Sequence, residues 1–459
     1  MSEISNPQAV AAWTRLAAWA ADPSWQPSAV ALQRAQDAVI DTVACMVGGV
    51  GLPAHEAVRG AAAAWGEGPA SLIGGGRASA PVAALVNGTA AHALDFDDHD
   101  APTLGHPSAV LVPALLAVSE AAGTDASRVL RAFIVGVEFM DRLGEILNPG
   151  HYEIGWHSTL TIGCVAAAGA VATLRGLDAE RTLTALSLGA TMAGGLKAQF
   201  GSGAKPFHAG WAAHNGVVAA ELAAQGLTAM PDALAGAWGF TGIYGADPAR
   251  DGAKLPAMPP PLAIEQHGLW VKSYPCCSYM GRPLDAVLAL RAQGRLSAEL
   301  VSRITVSMSP RQIGVVRYGI PDDGDQARFS VPWCVAVGIA KGSVRPQHFT
   351  ADALSDPALL GLAGRITLQS YGEALPLPDV SIEDYDWLDI ELTTGERITM
   401  AAREVRGSPD RPLSRPELLD KLNALAEGQL GGNRLTALRE TLEGFAGAVP
   451  VTSLMTTLR

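Results

Sequence analysis

Seventeen consecutive residues, Ser158–Leu174, carry no charge, and Ala-rich apolar stretches of the same kind recur through the first half of the chain. Between Val30 and Val47, Leu32, Val39, Val43 and Val47 recur at helical spacing, and Gly48-Gly49 ends the run. Pro107 opens another apolar helix, in which Pro113 should bend or restart the chain. Asp125 or Ser127 is placed to cap a helix through Leu147, stopped by Pro149-Gly150. Further helical stretches are predicted at 158–174, 179–193 and 211–225. Alanine has the highest helix propensity and lets helices approach closely, so this half should fold as a large all-helical domain. The uncharged run falls short of the ~20 residues that span a bilayer. With its Ser, Thr and Gly, between His157 and Arg175, it reads as a buried core helix.

Residues 255–263 hold four prolines and mark a boundary. Beyond it the signals alternate. Helices are expected near 282–293, 330–341 and 351–362, with strands at 303–307 and near 365–369. A hairpin over 388–399 should turn at Thr394-Gly395. Helices return at 414–427 and 433–446. The chain of 459 residues is long enough for two or three domains. The expected fold is mainly α: a helical domain over 1–262, completed by C-terminal helices within 411–459, and a smaller α+β lid domain over 263–410.

Acidic residues outnumber basic ones 45 to 33, and the net charge of −12 argues against nucleic acid and anionic membrane as partners. The N-terminus lacks a basic segment followed by an apolar one, so a cytoplasmic protein is expected. The five cysteines include no C-x-x-C pair. That pattern speaks against a disulfide framework, a zinc ribbon or an iron–sulfur cluster, and no metal or cofactor is expected.

Seven of the ten histidines fall between 92 and 214. The densest polar patch runs from His92 through Asp95, Asp97, Asp98, His99 and Asp100 to Gly105-His106-Pro107-Ser108, flanked by apolar helix. Lodging these groups beside a core is costly unless they are paired or useful. The ordinary reading is a solvated helix end with Asp caps; the sharper one is an acid/base site. His106 at a helix start would feel a positive dipole end, which favours the neutral base. Gly155-Trp156-His157-Ser158 repeats the arrangement, so the two helix starts suggest a shared anion site. Lys205 stands in a Gly-rich segment, Gly201 to Gly210, that departs from the phosphate-loop pattern because Pro206 follows the lysine. Anchoring a carboxylate suits it better. Lys272 lies just past the Pro-rich boundary, before Tyr274-Pro275-Cys276-Cys277, where a cleft binding a dicarboxylate would need a second cation. Vicinal cysteines are usually buried fillers, and Arg317-Tyr318 is ambiguous by itself.

In order, these patches resemble the MmgE/PrpD family, which includes 2-methylcitrate dehydratase, cis-aconitate decarboxylase and iminodisuccinate epimerase. The resemblance rests on NGTAAHALDFDD (87–98), GHPSAVLVPALLA (105–117), GWHSTLTIG (155–163), GAKPFHAGWAAHNG (203–216), KSYPCC (272–277), RFSVPWCVA (328–336) and GSPDRPLSRPELLDK (407–421). It implies a cleft between the two domains, a homodimer, and a small di- or tricarboxylate substrate. The family's active-site positions match Asp95, His106, His157, Lys205 and Lys272 as catalytic residues. His99, Tyr318 and Cys277 are candidate substrate-binding residues. The chain departs from common family patterns in having His99 after DFDD, Met280-Gly281 where many members carry a histidine, and Cys277 where the decarboxylase type has one.

The family's activities share chemistry at a carbon next to a carboxylate, where cations stabilise the developing charge and a positioned base moves the proton. The expected activity is a metal-independent dehydratase-type lyase acting on a 2-methylcitrate-like substrate. The alternative is an epimerase or racemase of an imino- or amino-dicarboxylate. Two rivals come from other classes. One is a metal-dependent phosphohydrolase using His92, Asp97, His99, Asp100 and His106. The other is a helical binding protein without catalysis, whose candidate residues would not converge.

Overall fold

The computed structural model describes residues 6–247, 251, 254–373 and 375–459. Its first half is built from helices α1 (Pro7–Ala21), α2 (Ala29–Gly48), α3 (Pro53–Ala62), α4 (Ala80–His92), α5 (Pro107–Ala122) and α6 (Ala126–Leu147). After a single turn, α7 (Gly150–Glu153), come α8 (Ser158–Arg175), α9 (Ala179–Thr191) and α10 (Ala204–Ala224). The chain is mainly α, as its alanine-rich patterning predicts. Side-chain caps start several of these helices: Asn6 accepts from Ala9 N, Ser28 from Ala31 N, and Asp178 from Arg181 N.

Helix α8 is apolar enough to cross a membrane, yet 94% of it is buried inside the protein. It packs against α5, α6, α9 and α10, so its apolar surface is covered by protein. A close backbone approach brings α4 onto α10. A Cβ on Gly210 would lie 2.2 Å from the Leu85 carbonyl oxygen, and one on Gly88 would lie 2.8 Å from Gly210 Cα. Only glycines allow this crossing, and it sets His92 at the end of α4 beside the start of α10.

Three expectations need correction. Pro113 does not restart α5, which is continuous over Pro107–Ala122. The carbonyl deprived of its partner belongs to Ala109, and it lies against Gly88, where the missing side chain leaves room. Helix α10 begins at Ala204 instead of 211, so Lys205 and His208 sit in its first turns and not in a loop. Pro206 is tolerated there because first-turn N–H groups have no intrahelical acceptor. The stretch 351–362 is split into Ala351–Leu354 and Pro357–Ala363, because Asp356 caps the second piece through Ala358 N and Leu359 N.

A short hairpin joins β1 (Ala70–Ser71) and β2 (Arg77–Ala78). The second half carries a four-stranded sheet in the order β4 (Ile366–Ser370), β3 (Val301–Met308), β5 (Asp386–Leu392), β6 (Arg397–Ala402). Strands β3 and β4 are parallel, and the other neighbours are antiparallel. The β5–β6 hairpin turns at Thr394-Gly395 as expected, with Gly395 at φ 89°. Helices Gly281–Ala292 and Val331–Lys341 pack on each other and on this sheet.

Buried apolar side chains form two clusters. One joins the first-half helices to Leu418, Leu422, Leu438, Phe445 and Leu454 near the C-terminus. The other holds Ile304, Val306, Leu388 and Ile390 of the sheet, with Trp333 and Leu284 from the two helices. A helix not anticipated from the sequence, Val451–Leu458, belongs to the first cluster.

Candidate active site

The loop between α4 and α5 turns sharply at Asp95, which holds a left-handed backbone conformation (φ 49°). That conformation is uncommon for a residue with a Cβ, and such strain concentrates where a side chain must be aimed. The loop is fastened on several sides. His99 and Trp270 exchange backbone hydrogen bonds of 3.1 and 2.8 Å, and their rings stack. Arg328 Nε donates to the Leu94 carbonyl at 3.0 Å.

Asp95 receives both lysines. Lys205 Nζ lies 3.0 Å from its Oδ1, and Lys272 Nζ donates to the same oxygen and, at 2.9 Å, to the Asp95 carbonyl. Oδ2 is buried without a hydrogen-bond partner. Burial alone would raise the Asp95 pKa, but Lys205 and Lys272 outweigh it and hold the carboxyl well below the usual range. The two lysines part company. Burial lowers the Lys205 pKa despite Asp95, whereas for Lys272 the fields of Asp95 and Asp97 more than offset burial and raise it. Lys272 is therefore a fixed cation, and Lys205 the ammonium readier to give up a proton.

Behind them runs a hydrogen-bonded chain. Lys205 Nζ donates to His92 Nε2 at 2.8 Å, so the His92 proton resides on Nδ1, which meets Asp97 Oδ1 at 2.8 Å. His106 has its Nδ1 2.8 Å from the Asp98 carbonyl, which can only accept. Its Nδ1 therefore carries the hydrogen, and Nε2 is left as a bare lone pair 3.9 Å from Asp95 Oδ1. Burial first, with Lys272 and Lys205 assisting, puts the His106 pKa well below its ordinary value. The neutral imidazole expected from the sequence is favoured, with burial, Lys272 and Lys205 as causes beside the helix start. The shared anion site at the helix starts needs revision. His106 and His157 do precede α5 and α8, but the α5 start is filled by the chain's own Asp98, which takes Ser108 N at 3.2 Å and the Ser108 hydroxyl.

His157 pairs with His208 through their Nδ1 atoms at 2.9 Å, and burial keeps both rings neutral, His208 falling to about 4. Asp95, His99, His106, His157, Lys205 and Cys277 line one cavity. Phe200 and Phe329 form an apolar wall against Lys205. Lys272 joins through Asp95. The convergence that a non-catalytic helical protein would lack is present.

Burial lowers His99 to about 3 and raises Cys277 to about 12, so neither is charged near neutrality and Cys277 is no thiolate nucleophile. Tyr318 does not line the cavity. Its hydroxyl donates to the Phe200 carbonyl at 2.9 Å and sits over Gly201, where a Cβ would meet it at 2.3 Å. It supports the turn that leads into Lys205.

The ligand set suggested for a phosphohydrolase is not assembled. His99 faces Trp270, and Asp100 accepts from Thr103 N at 2.8 Å. One ligand atom each from His92, Asp95, Asp97 and His106 do lie within 4.8 Å of one another, a spacing that suits a cation. Lys205 already occupies His92 Nε2 and shares Asp95 Oδ1 with Lys272, while Asp95 Oδ2 stays open. Sequence reasoning missed His208 as the partner of His157, and it named His92 only as a metal ligand, not as the partner of Lys205. Their signal was spacing: His92 lies five residues before Asp97, and His208 one helical turn after Lys205.

Comparison with known proteins gives a consistent result. The MmgE/PrpD N-terminal domain matches residues 14–251 and the MmgE/PrpD C-terminal domain residues 274–443. Cis-aconitate decarboxylase of Mus musculus is 27% identical over 79% of this chain and 75% of its own length. Cis-aconitate decarboxylase of Aspergillus terreus is 26% identical over 92% of this chain and 91% of its own. The human cis-aconitate decarboxylase is 25% identical over 82% of this chain and 79% of its own.

Proposed function

The chain belongs to the MmgE/PrpD family, and on that premise we propose that it is a lyase acting on a small tricarboxylate at a carbon next to a carboxylate. The carrying observation is the meeting of a bare, neutral His106 Nε2 with two buried lysines on Asp95. A substrate carboxylate competes with Asp95 for Lys272 and Lys205, and the same cations stabilise the charge that develops on the adjacent carbon. His106 Nε2 takes the proton; Asp95, held strongly ionised, is too weak a base. Lys205, backed by the His92–Asp97 chain, protonates the departing hydroxyl, and His157 with His208 serves the opposite side of the cavity.

Within this scheme the first reading is dehydration of a 2-methylcitrate-like hydroxy acid. Decarboxylation of cis-aconitate is the second, favoured by the relatives named above. Epimerisation of an imino- or amino-dicarboxylate differs only in returning the proton to the other face.

The test is turnover of 2-methylcitrate, citrate, cis-aconitate and aspartate derivatives in heavy water. Alkene formation supports dehydration, release of carbon dioxide supports decarboxylation, and deuterium uptake without either supports epimerisation. Lys205→Ala and His157→Ala should each abolish turnover with the fold intact; normal turnover in either overturns the assignment. Activity should survive a strong chelator, and its loss would reinstate a metal at His92, Asp95, Asp97 and His106.

A further inference from the structure

Next to the catalytic cavity lies a second one of about 530 Å3. The two share His99, Leu104, Trp270, Ser278 and Tyr279 as a common wall, and the second adds two arginines, Arg282 and Arg311. Arg282 opens the helix Gly281–Ala292, and Arg311 sits one residue into the short helix Pro310–Val315.

The Arg282 guanidinium is half-buried and makes no hydrogen bond among the described residues. Its nearest carboxylate oxygen is Asp386 Oδ1 at 3.9 Å, too far for one, and Gln312 Nε2 donates to that oxygen at 3.0 Å. Burial also raises Asp386 to about 7, which weakens it as a counter-charge. Arg311 spends one amino group on Glu383 Oε2 at 2.6 Å. The Nε of each arginine is buried with no acceptor. Native proteins rarely leave such donors unpaired, and both of these lie on arginines that line a cavity. Among the described residues, Glu383 is the one anion lining the pocket that is engaged by a full hydrogen bond there.

We propose that Arg282 and Arg311 form a subsite for a remote carboxylate of the substrate, separate from the carboxylate held by Lys205 and Lys272. The planar fork of a guanidinium matches a carboxylate edge-on. The arrangement favours a substrate with a third carboxylate over a dicarboxylate of similar length. This inference rests on the proposed function, since it names a part of the same substrate.

Two unreactive anions test it by calorimetric titration of the full chain: tricarballylate, with three carboxylates, and glutarate, with two. The unmodified protein should bind tricarballylate at least about ten-fold more tightly, the gain expected of one charge-assisted contact. Arg282→Gln and Arg311→Gln should each bring tricarballylate to within about three-fold of glutarate and leave glutarate unchanged. Arg397→Gln, an exposed arginine on β6, should keep the full preference. An unaltered preference in both glutamine variants overturns the subsite, as does an equal loss in Arg397→Gln, which would trace the preference to net charge. Should either variant at the pocket fail to fold, the other decides. Glutarate binding that depends on Lys272 but shows no gain from a third carboxylate overturns the subsite and leaves the lyase reading standing. Binding of neither anion overturns both.

Discussion

In the proposed mechanism Asp95 and His106 divide the chemistry between a charge and a lone pair. Asp95 is fixed as an anion by two lysines, and His106 is kept neutral with its free nitrogen on the same cavity. The pH dependence of kcat/KM follows from this. A histidine whose pKa is lowered stays deprotonated as pH falls through the ordinary value of ~6.5. The acid limb of the profile should therefore lie below the ordinary histidine value of ~6.5, and His106→Gln should cost about 10²–10⁴ in kcat/KM. A limb centred at about 6.5 in the unmodified protein would remove His106 as the base. At this scale the sequence was informative wherever a polar residue interrupted an apolar run, as at Asp95, His106, His157 and Lys205. It singled out His92 as the start of a polar patch and a possible metal ligand, but not as the partner of Lys205. Its bond to Lys205 spans 113 residues and depends on tertiary packing alone. Tyr318 fell outside the cavity for the same reason.

Helices α4 and α10 place His92 and Lys205 together because Gly88 and Gly210 let their backbones touch. Gly210→Ala would push a methyl group into the Leu85 carbonyl and the Thr89 hydroxyl, neither of which can swing away. It should destabilise the protein by about 1–3 kcal/mol, seen as a lower urea midpoint. Gly60→Ala, which meets nothing within 4 Å, should not. Should both variants unfold at the unmodified midpoint, the crossing is looser than described. Helix identities were readable from apolar spacing and Gly/Pro punctuation. The early start of α10 was not, because Gly201, Gly203 and Pro206 signal a loop unless the proline falls in the first helical turn, where it costs no hydrogen bond. The smooth passage of α5 through Pro113 was equally hidden, since it depends on a glycine in another helix.

Across the whole molecule, the helix Arg415–Ala426 reaches under the site. Lys421 Nζ donates to the carbonyls of Phe96 (2.7 Å) and Lys272 (3.1 Å), pairs with Asp41 at 2.6 Å, and lies 3.8 Å from the Phe96 ring centre. The loop that carries Asp95 and the segment that carries Lys272 are thus tied to one buried ammonium. Lys421→Met would strand Asp41, whose carboxylate is fully buried, and should cost about 3–5 kcal/mol in urea unfolding. Adding Asp41→Asn should recover part of that loss. A Lys421→Met midpoint equal to the unmodified one would show the tie to be idle.

The same lysine lies 325 residues after Phe96 and 149 after Lys272. A ribosome that has delivered every catalytic residue has still not delivered the clasp that fastens them. Until that closing helix leaves the exit tunnel, the Asp95 loop and the Lys272 segment lack this contact.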